Sequence, residues 1–118
     1  MDYIKYLEEW FKDETEEAGL YMGMARQAER EGYPEIARQL RETAIQEAEH
    51  AGIAAELAGK IGKTKENLER MTEGEGEANS VRMKIAKDQE GEAKAYLIVT
   101  AKDEARHKRA LEGLKERL

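Results

Sequence analysis

The two histidines of this chain each stand three residues after a glutamate, as Glu47-x-x-His50 and Glu104-x-x-His107. On an α-helix, residues three apart share a face, so a carboxylate and an imidazole one turn apart can grip a single ion. Two such pairs, completed by one glutamate from each of two further helices, form the carboxylate-bridged di-iron or di-manganese site of helical bundles.

Four helices are therefore needed, and the apolar periodicity supplies them. The first segment carries the stripe Trp10, Glu14, Glu17, Tyr21, Met24 and Ala28, in alternating steps of four and three, with two glutamates among apolar residues. A break follows at Glu31-Gly32-Tyr33-Pro34, where Gly suits a helix end and Pro a helix start. The second stripe is Ile36, Leu40, Thr43, Glu47, His50, Ala54, Leu57 and Ile61. After an interruption from Gly59 to Lys63, with Thr64 as the expected N-cap, the third reads Leu68, Met71, Glu75, Ala78, Val81 and Ile85. Of the neighbouring Glu73, Glu75 and Glu77, only Glu75 falls on this stripe; a misphased stripe would put one of the others in its place. The fourth, after the weak break Gln89-Glu90-Gly91, is Leu97, Thr100, Glu104, His107, Leu111, Leu114 and Leu118. The expected architecture is one all-α domain over residues 1–118, a four-helix bundle made of two helical hairpins, about 1–60 and 64–118. Each hairpin offers one carboxylate from its first helix and one Glu-x-x-His from its second. Inward carboxylates need protons, ion partners or metal, and metal satisfies them all at once.

Composition narrows the chemistry. With 118 residues, one proline and no cysteine, the chain suits a single small helical domain without disulfides, thiolate iron centres or thiol catalysis. A net charge of −6 argues against nucleic acid or an anionic membrane as partner. No stretch is apolar enough to span a bilayer and the first residues lack signal-peptide character, so a cytoplasmic location is expected.

Several runs of sequence resemble the rubrerythrin-type ferritin-like proteins: Glu14-Thr15-Glu16-Glu17 through Tyr21, Ala28 through Ala37, Glu47-Ala48-Glu49-His50-Ala51, Asn67 through Glu75, and Ala101 through His107 with Leu111-Glu112-Gly113-Leu114 after it. The resemblance implies a ferritin-like bundle holding two iron ions, with manganese as an alternative, that reduces hydrogen peroxide in oxidative stress defence. It implies Glu14, Glu47, Glu75 and Glu104 as binding or bridging carboxylates and His50 and His107 as terminal ligands. Relatives often carry one more glutamate a turn after a first-helix ligand; Glu17 fills that place after Glu14, whereas Ala78 stands there after Glu75. Tyr21 matches a family tyrosine near the irons and is the expected hydrogen-bond donor to a bound oxygen species. The rubredoxin module of many relatives is missing from this sequence, so electrons are expected from an external rubredoxin or another donor. The alternative from a different class is iron or manganese binding for storage, without peroxidase turnover.

Glu14 to Glu47 spans 33 residues but Glu75 to Glu104 only 29. The second hairpin is thus expected to have lost about a turn of chain around Gln89 to Glu92. Two solutions are open: a tighter turn near Gly91, or fusion of helices three and four into one long helix. In the fused case two chains would exchange halves in a domain-swapped homodimer; a homodimer is expected in either case.

Overall fold

The structure is a computed structural model describing residues 2–118, so that Met1, the first residue of the expected first hairpin, lies outside the described residues. It contains four helices: α1 (Tyr3–Arg30), α2 (Pro34–Leu57), α3 (Thr64–Ala86) and α4 (Gly91–Lys115). The fold class is all-α, with no strand among the described residues, and it fits a ferritin-like four-helix bundle built from two hairpins. Residues 1–61 and 62–118 form two compact units, in which α1 packs on α2 and α3 on α4.

In the first hairpin, the Asp2 carboxylate caps α1 by accepting from the Ile4 and Lys5 amides at 3.0 and 3.4 Å. The helix stops at Gly32, whose φ of 85° is open to glycine at little steric cost. There the Gly32 amide donates to the Glu29 carbonyl and the Tyr33 amide to the Ala28 carbonyl, closing a Schellman turn. Pro34 then opens α2, where its missing N–H is no loss. The seam between the helices is made of small side chains: Ala25 and Ala28 on α1, with Ala37, Ala44, Ala51, Ala54 and Ala55 on α2, closed off by Leu7. Ala37, Ala44 and Ala51 recur every seven residues, which lets the two backbones run close together along the whole seam.

This packing differs from the expected stripes. Met24, Ile36 and Leu57, read as inward residues, are 49%, 53% and 54% exposed. They flank the alanine seam on the side that carries Glu17 on α1 and His50 on α2. A buried methyl contributes only roughly 0.8 kcal/mol, so the alanine seam is a thin core, and the larger apolar side chains on that flank hold the greater potential for burial.

The second hairpin begins at a reciprocal pair. The Gly62 amide donates to Asn67 Oδ1 at 2.8 Å and Asn67 Nδ2 donates to the Gly62 carbonyl at 2.9 Å. Thr64 is the first helical residue rather than the expected N-cap; Lys63 holds that position, without a side-chain capping bond. The α3–α4 seam is more polar. Ala86 and Ala101 are its buried apolar residues, Asn79 Nδ2 donates to the Ala101 carbonyl at 2.7 Å, and the Lys108 stem lies beside Gly76.

Helices α3 and α4 are separate, which overturns the fused-helix alternative: Lys87–Glu90 form a turn in which the Asp88 and Gln89 amides donate to the Ile85 and Ala86 carbonyls. The residues missing from this hairpin are not lost around Gln89 to Glu92 either. α2 and α4 both begin 13 residues before their glutamate, but α3 ends 11 residues after Glu75 where α1 ends 16 after Glu14. The shortening is in the end of α3, and a turn one residue longer, finishing on extended Glu90, recovers part of the distance.

Candidate metal centre

Helix geometry alone sets the two clusters. Glu47 and His50 lie one turn apart on α2, and α1 brings Glu14 to them; Glu104 and His107 repeat this on α4, met by Glu75 from α3. His50 Nδ1 is 3.5 Å from Glu14 Oε2 and 3.9 Å from Glu47 Oε1. His107 Nδ1 is 3.4 Å from Glu75 Oε2 and 3.8 Å from Glu104 Oε2. In each trio one donor atom per residue lies within 4.8 Å of the others. Ligands at roughly 2.0–2.2 Å from an ion sit about 3 Å from one another, so a small contraction closes each trio on a cation.

The carboxylates are sheltered and the imidazoles stand at the rim. Side-chain exposure is 15% and 17% for Glu14 and Glu47, 17% and 19% for Glu75 and Glu104, and about half for both histidines. Glu14 Oε2 and Glu75 Oε2 are fully buried and accept no hydrogen bond of good geometry; the nearest imidazole nitrogens stand 3.5 and 3.4 Å away. A buried acceptor without a donor is costly. A cation would satisfy both oxygens, and the mixed carboxylate and imidazole donor set fits iron or manganese.

Crowding of the acids redistributes protons. Glu47 is pushed up to about 7, first by its hydrogen bond with Glu14, then by Glu17, by burial and by the charges of both neighbours. Glu14 is held below the ordinary carboxylate range by the same shared hydrogen bond, against the effect of burial and with help from Trp10 and His50. In the second hairpin the order is reversed. The shared hydrogen bond with Glu104, together with burial, raises Glu75, whereas Glu104 is lowered by that bond and then by Arg82.

With this geometry in view, comparison with known proteins is decisive. The rubrerythrin family profile matches residues 5–83, which is more than half of the chain. The chain belongs to the rubrerythrin family. It is 43% identical to an uncharacterized protein of Methanocaldococcus jannaschii over 112 residues, covering 91% of this chain and 79% of that protein. It is 40% identical over 116 residues to reverse rubrerythrin-1 of Clostridium acetobutylicum, covering 91% of this chain but only 62% of that relative's length. No solved structure matches significantly.

Six expected ligands of this rubrerythrin thus come together as two trios. Glu17 does not enter a trio; it is exposed and acts on Glu47 from one side. Glu73 and Glu77 are exposed and lie outside the second trio, so Glu75 is the α3 residue that meets Glu104 and His107. Tyr21 is partly buried, one turn beyond Glu17. Two further residues join the site that the sequence reading had not assigned to it. Trp10 Nε1 donates to Glu14 Oε1 at 3.0 Å, and Arg82 Nη1 donates to Glu104 Oε1 at 2.7 Å. Both signals were present in the sequence: Trp10 precedes Glu14 by one helical turn, and Arg82 follows Glu75 by the same seven residues that separate Tyr21 from Glu14.

Proposed function

We propose that this rubrerythrin is a non-haem di-iron peroxidase, in which Glu14, Glu17, Glu47 and His50 from the first hairpin and Glu75, Glu104 and His107 from the second hold two iron ions. The observation that carries the reading is the paired occurrence of a buried, donorless carboxylate oxygen beside a Glu-x-x-His, once in each hairpin. Two ferrous ions supply two electrons when bound, and hydrogen peroxide consumes two electrons and two protons to give two waters.

The chain's own residues supply position and protons. Trp10 fixes the Glu14 carboxylate by holding Oε1 and leaving Oε2 toward His50. Arg82 does the corresponding work on Glu104, holding Oε1 while Oε2 faces His107. Glu47 retains a proton up to about pH 7, which a bound metal would displace, and Glu17 lies beside it. Tyr21 is the residue assigned to hydrogen-bond the oxygen substrate. The 118 residues hold no cysteine, so a thiolate-bound iron centre of the rubredoxin kind, the donor assigned here, lies outside them.

The test is anaerobic loading with ferrous ion followed by one equivalent of hydrogen peroxide. Two irons per complete site, oxidised by stoichiometric peroxide and re-reduced by rubredoxin, are expected. Failure of the reduced protein to react would remove the peroxidase assignment, and uptake well beyond two ions per site would favour storage.

A further inference from the structure

Trp10 is the one tryptophan of the chain, and it meets a candidate ligand at its edge and a second aromatic ring on its face. Its Nε1 donates to Glu14 Oε1 at 3.0 Å. One turn earlier on α1 the Tyr6 ring stacks on it, with centroids 6.2 Å apart and planes 20° from parallel, within the range of aromatic pairs in contact. Trp10 is partly buried, whereas Tyr6 is 43% exposed. The three residues recur in steps of four, so one side of a single helix carries an oxidisable phenol, an oxidisable indole and a candidate ligand in unbroken contact.

Ligand geometry alone does not ask for this. Glu75 takes the place of Glu14 in the second hairpin, and the residues four and eight before it are Met71 and Asn67, neither of them aromatic. Orienting a carboxylate needs one hydrogen-bond donor, which an amide, a hydroxyl or an ammonium supplies as well as an indole, and it needs no second ring stacked behind the first. What the stacked indole and phenol add is the capacity to give up an electron. The phenol also releases its proton on oxidation, which makes it the lower-energy resting place for the resulting hole in neutral water.

We propose that Tyr6 and Trp10 form a one-electron relay, which supplies the site when its metal holds too few electrons for the peroxide it meets. The relay deepens the dinuclear reading and rests on it for its oxidant. Hydrogen peroxide takes up two electrons and two protons to become two waters. With one ferrous ion left, the second electron leaves Trp10 through its hydrogen bond to Glu14, and Trp10 is refilled from Tyr6, whose phenol loses its proton to solvent. In sum, one ferrous ion, one tyrosine, one peroxide and one proton give one ferric ion, one tyrosyl radical and two waters. The radical then rests at the exposed end of the relay, where an external one-electron donor restores the phenol with one electron and one proton, away from the ligands.

Two measurements on the full chain test this. In metal-free protein, azide radicals made by pulse radiolysis oxidise indole in preference to phenol, and the single tryptophan makes Trp10 the starting point. The tryptophan-radical absorbance is expected to pass to a tyrosyl radical in a fast step independent of protein concentration. Tyr6→Phe should abolish that step, while Tyr3→Phe and Tyr33→Phe, at tyrosines that are 59% and 53% exposed, should keep it. A step of equal rate in native and Tyr6→Phe protein overturns the proposal. For the second, ferrous-loaded protein is stripped of half its reducing electrons with ferricyanide, mixed with peroxide and freeze-quenched for electron paramagnetic resonance. A tyrosyl signal that is lost in Tyr6→Phe is expected, with iron uptake equal to that of the native protein because the bond from Trp10 to Glu14 is untouched. Iron that is bound and oxidised without a Tyr6-dependent radical overturns the relay. Absence of bound iron removes the dinuclear reading, and the relay's oxidant with it, even where the radiolysis step is present, so the two failures are told apart.

Discussion

The two hairpins carry the same trio of candidate ligands on different scaffolds. In the first, a continuous alanine seam holds the helices together, and the acids are crowded by a third glutamate, Glu17. In the second, Lys94 and Lys108 stand where Ala37 and Ala51 stand in the first, Asn79 and a glycine replace close apolar packing, and Arg82 brings a positive charge to Glu104. Helix periodicity preserves the donors whatever the seam is made of, because a glutamate and a histidine three residues apart stay on one face however the neighbouring positions are filled. The seam and the neighbouring charges are therefore free to differ, and they set where the protons reside.

The largest effect expected is loss of metal. Glu47→Ala and Glu104→Ala should each weaken ferrous binding by more than the roughly 10–100-fold seen on removing outer partners of metal ligands, and by similar factors, as read by anaerobic titration. Markedly unequal losses would break the equivalence of the two trios. Next is the seam. Ala44 and Ala101 occupy equivalent places and are 1% and 0% exposed, so Leu at either position should destabilise by about 1–3 kcal/mol through overpacking. Denaturant unfolding is expected to show the larger loss for Ala44→Leu, whose neighbours Ala37 and Ala51 leave no flexible stem to move aside.

How the sequence foretold this molecule follows from the same contrast. Helix ends marked by Gly32-Tyr33-Pro34 and by Gly59 were legible, because turn chemistry is local, and so were the six trio residues, because one helical period fixes a shared face. The alanine seam was not, since an apolar stripe is found by its large side chains, and these flank the seam. Nor was the shortening of α3: a deficit between Glu75 and Glu104 shows how many residues are missing but not from which element. Arg82 was legible only by laying one hairpin over the other, where it takes the place of Tyr21.

A smaller expected effect isolates that exchange. Arg82→Gln removes the charge that holds Glu104 ionised and oriented, and should lower ferrous affinity about tenfold, whereas Tyr21→Phe should leave affinity unchanged and act on peroxide reactivity. Equal effects of the two on binding would mean that Arg82 is not a ligand-orienting group.

The smallest effect is on pH dependence without metal. Glu47 keeps its proton to about pH 7 in the folded protein, against an ordinary value of 4.5. The folded state therefore binds more protons across that window, and this contribution to stability is full below about 4.5 and lost as pH rises through 7. Glu14 is lowered and acts in the opposite sense, losing its contribution in acid. Metal-free protein should melt at lower temperature as pH rises toward neutrality, and Glu47→Gln should flatten that trend; a flat native profile would show that the acids do not share a proton as the geometry implies.

The two donorless oxygens, Glu14 Oε2 and Glu75 Oε2, also affect how long the polypeptide lasts. Under the proposed metal binding, stability would be tied by mass action to the free metal around the protein, and a few-fold change in the unfolded fraction alters how fast proteases remove a protein. Scarcity of the ion would then thin the population of the protein itself, so that its abundance follows supply without any regulator reading the metal.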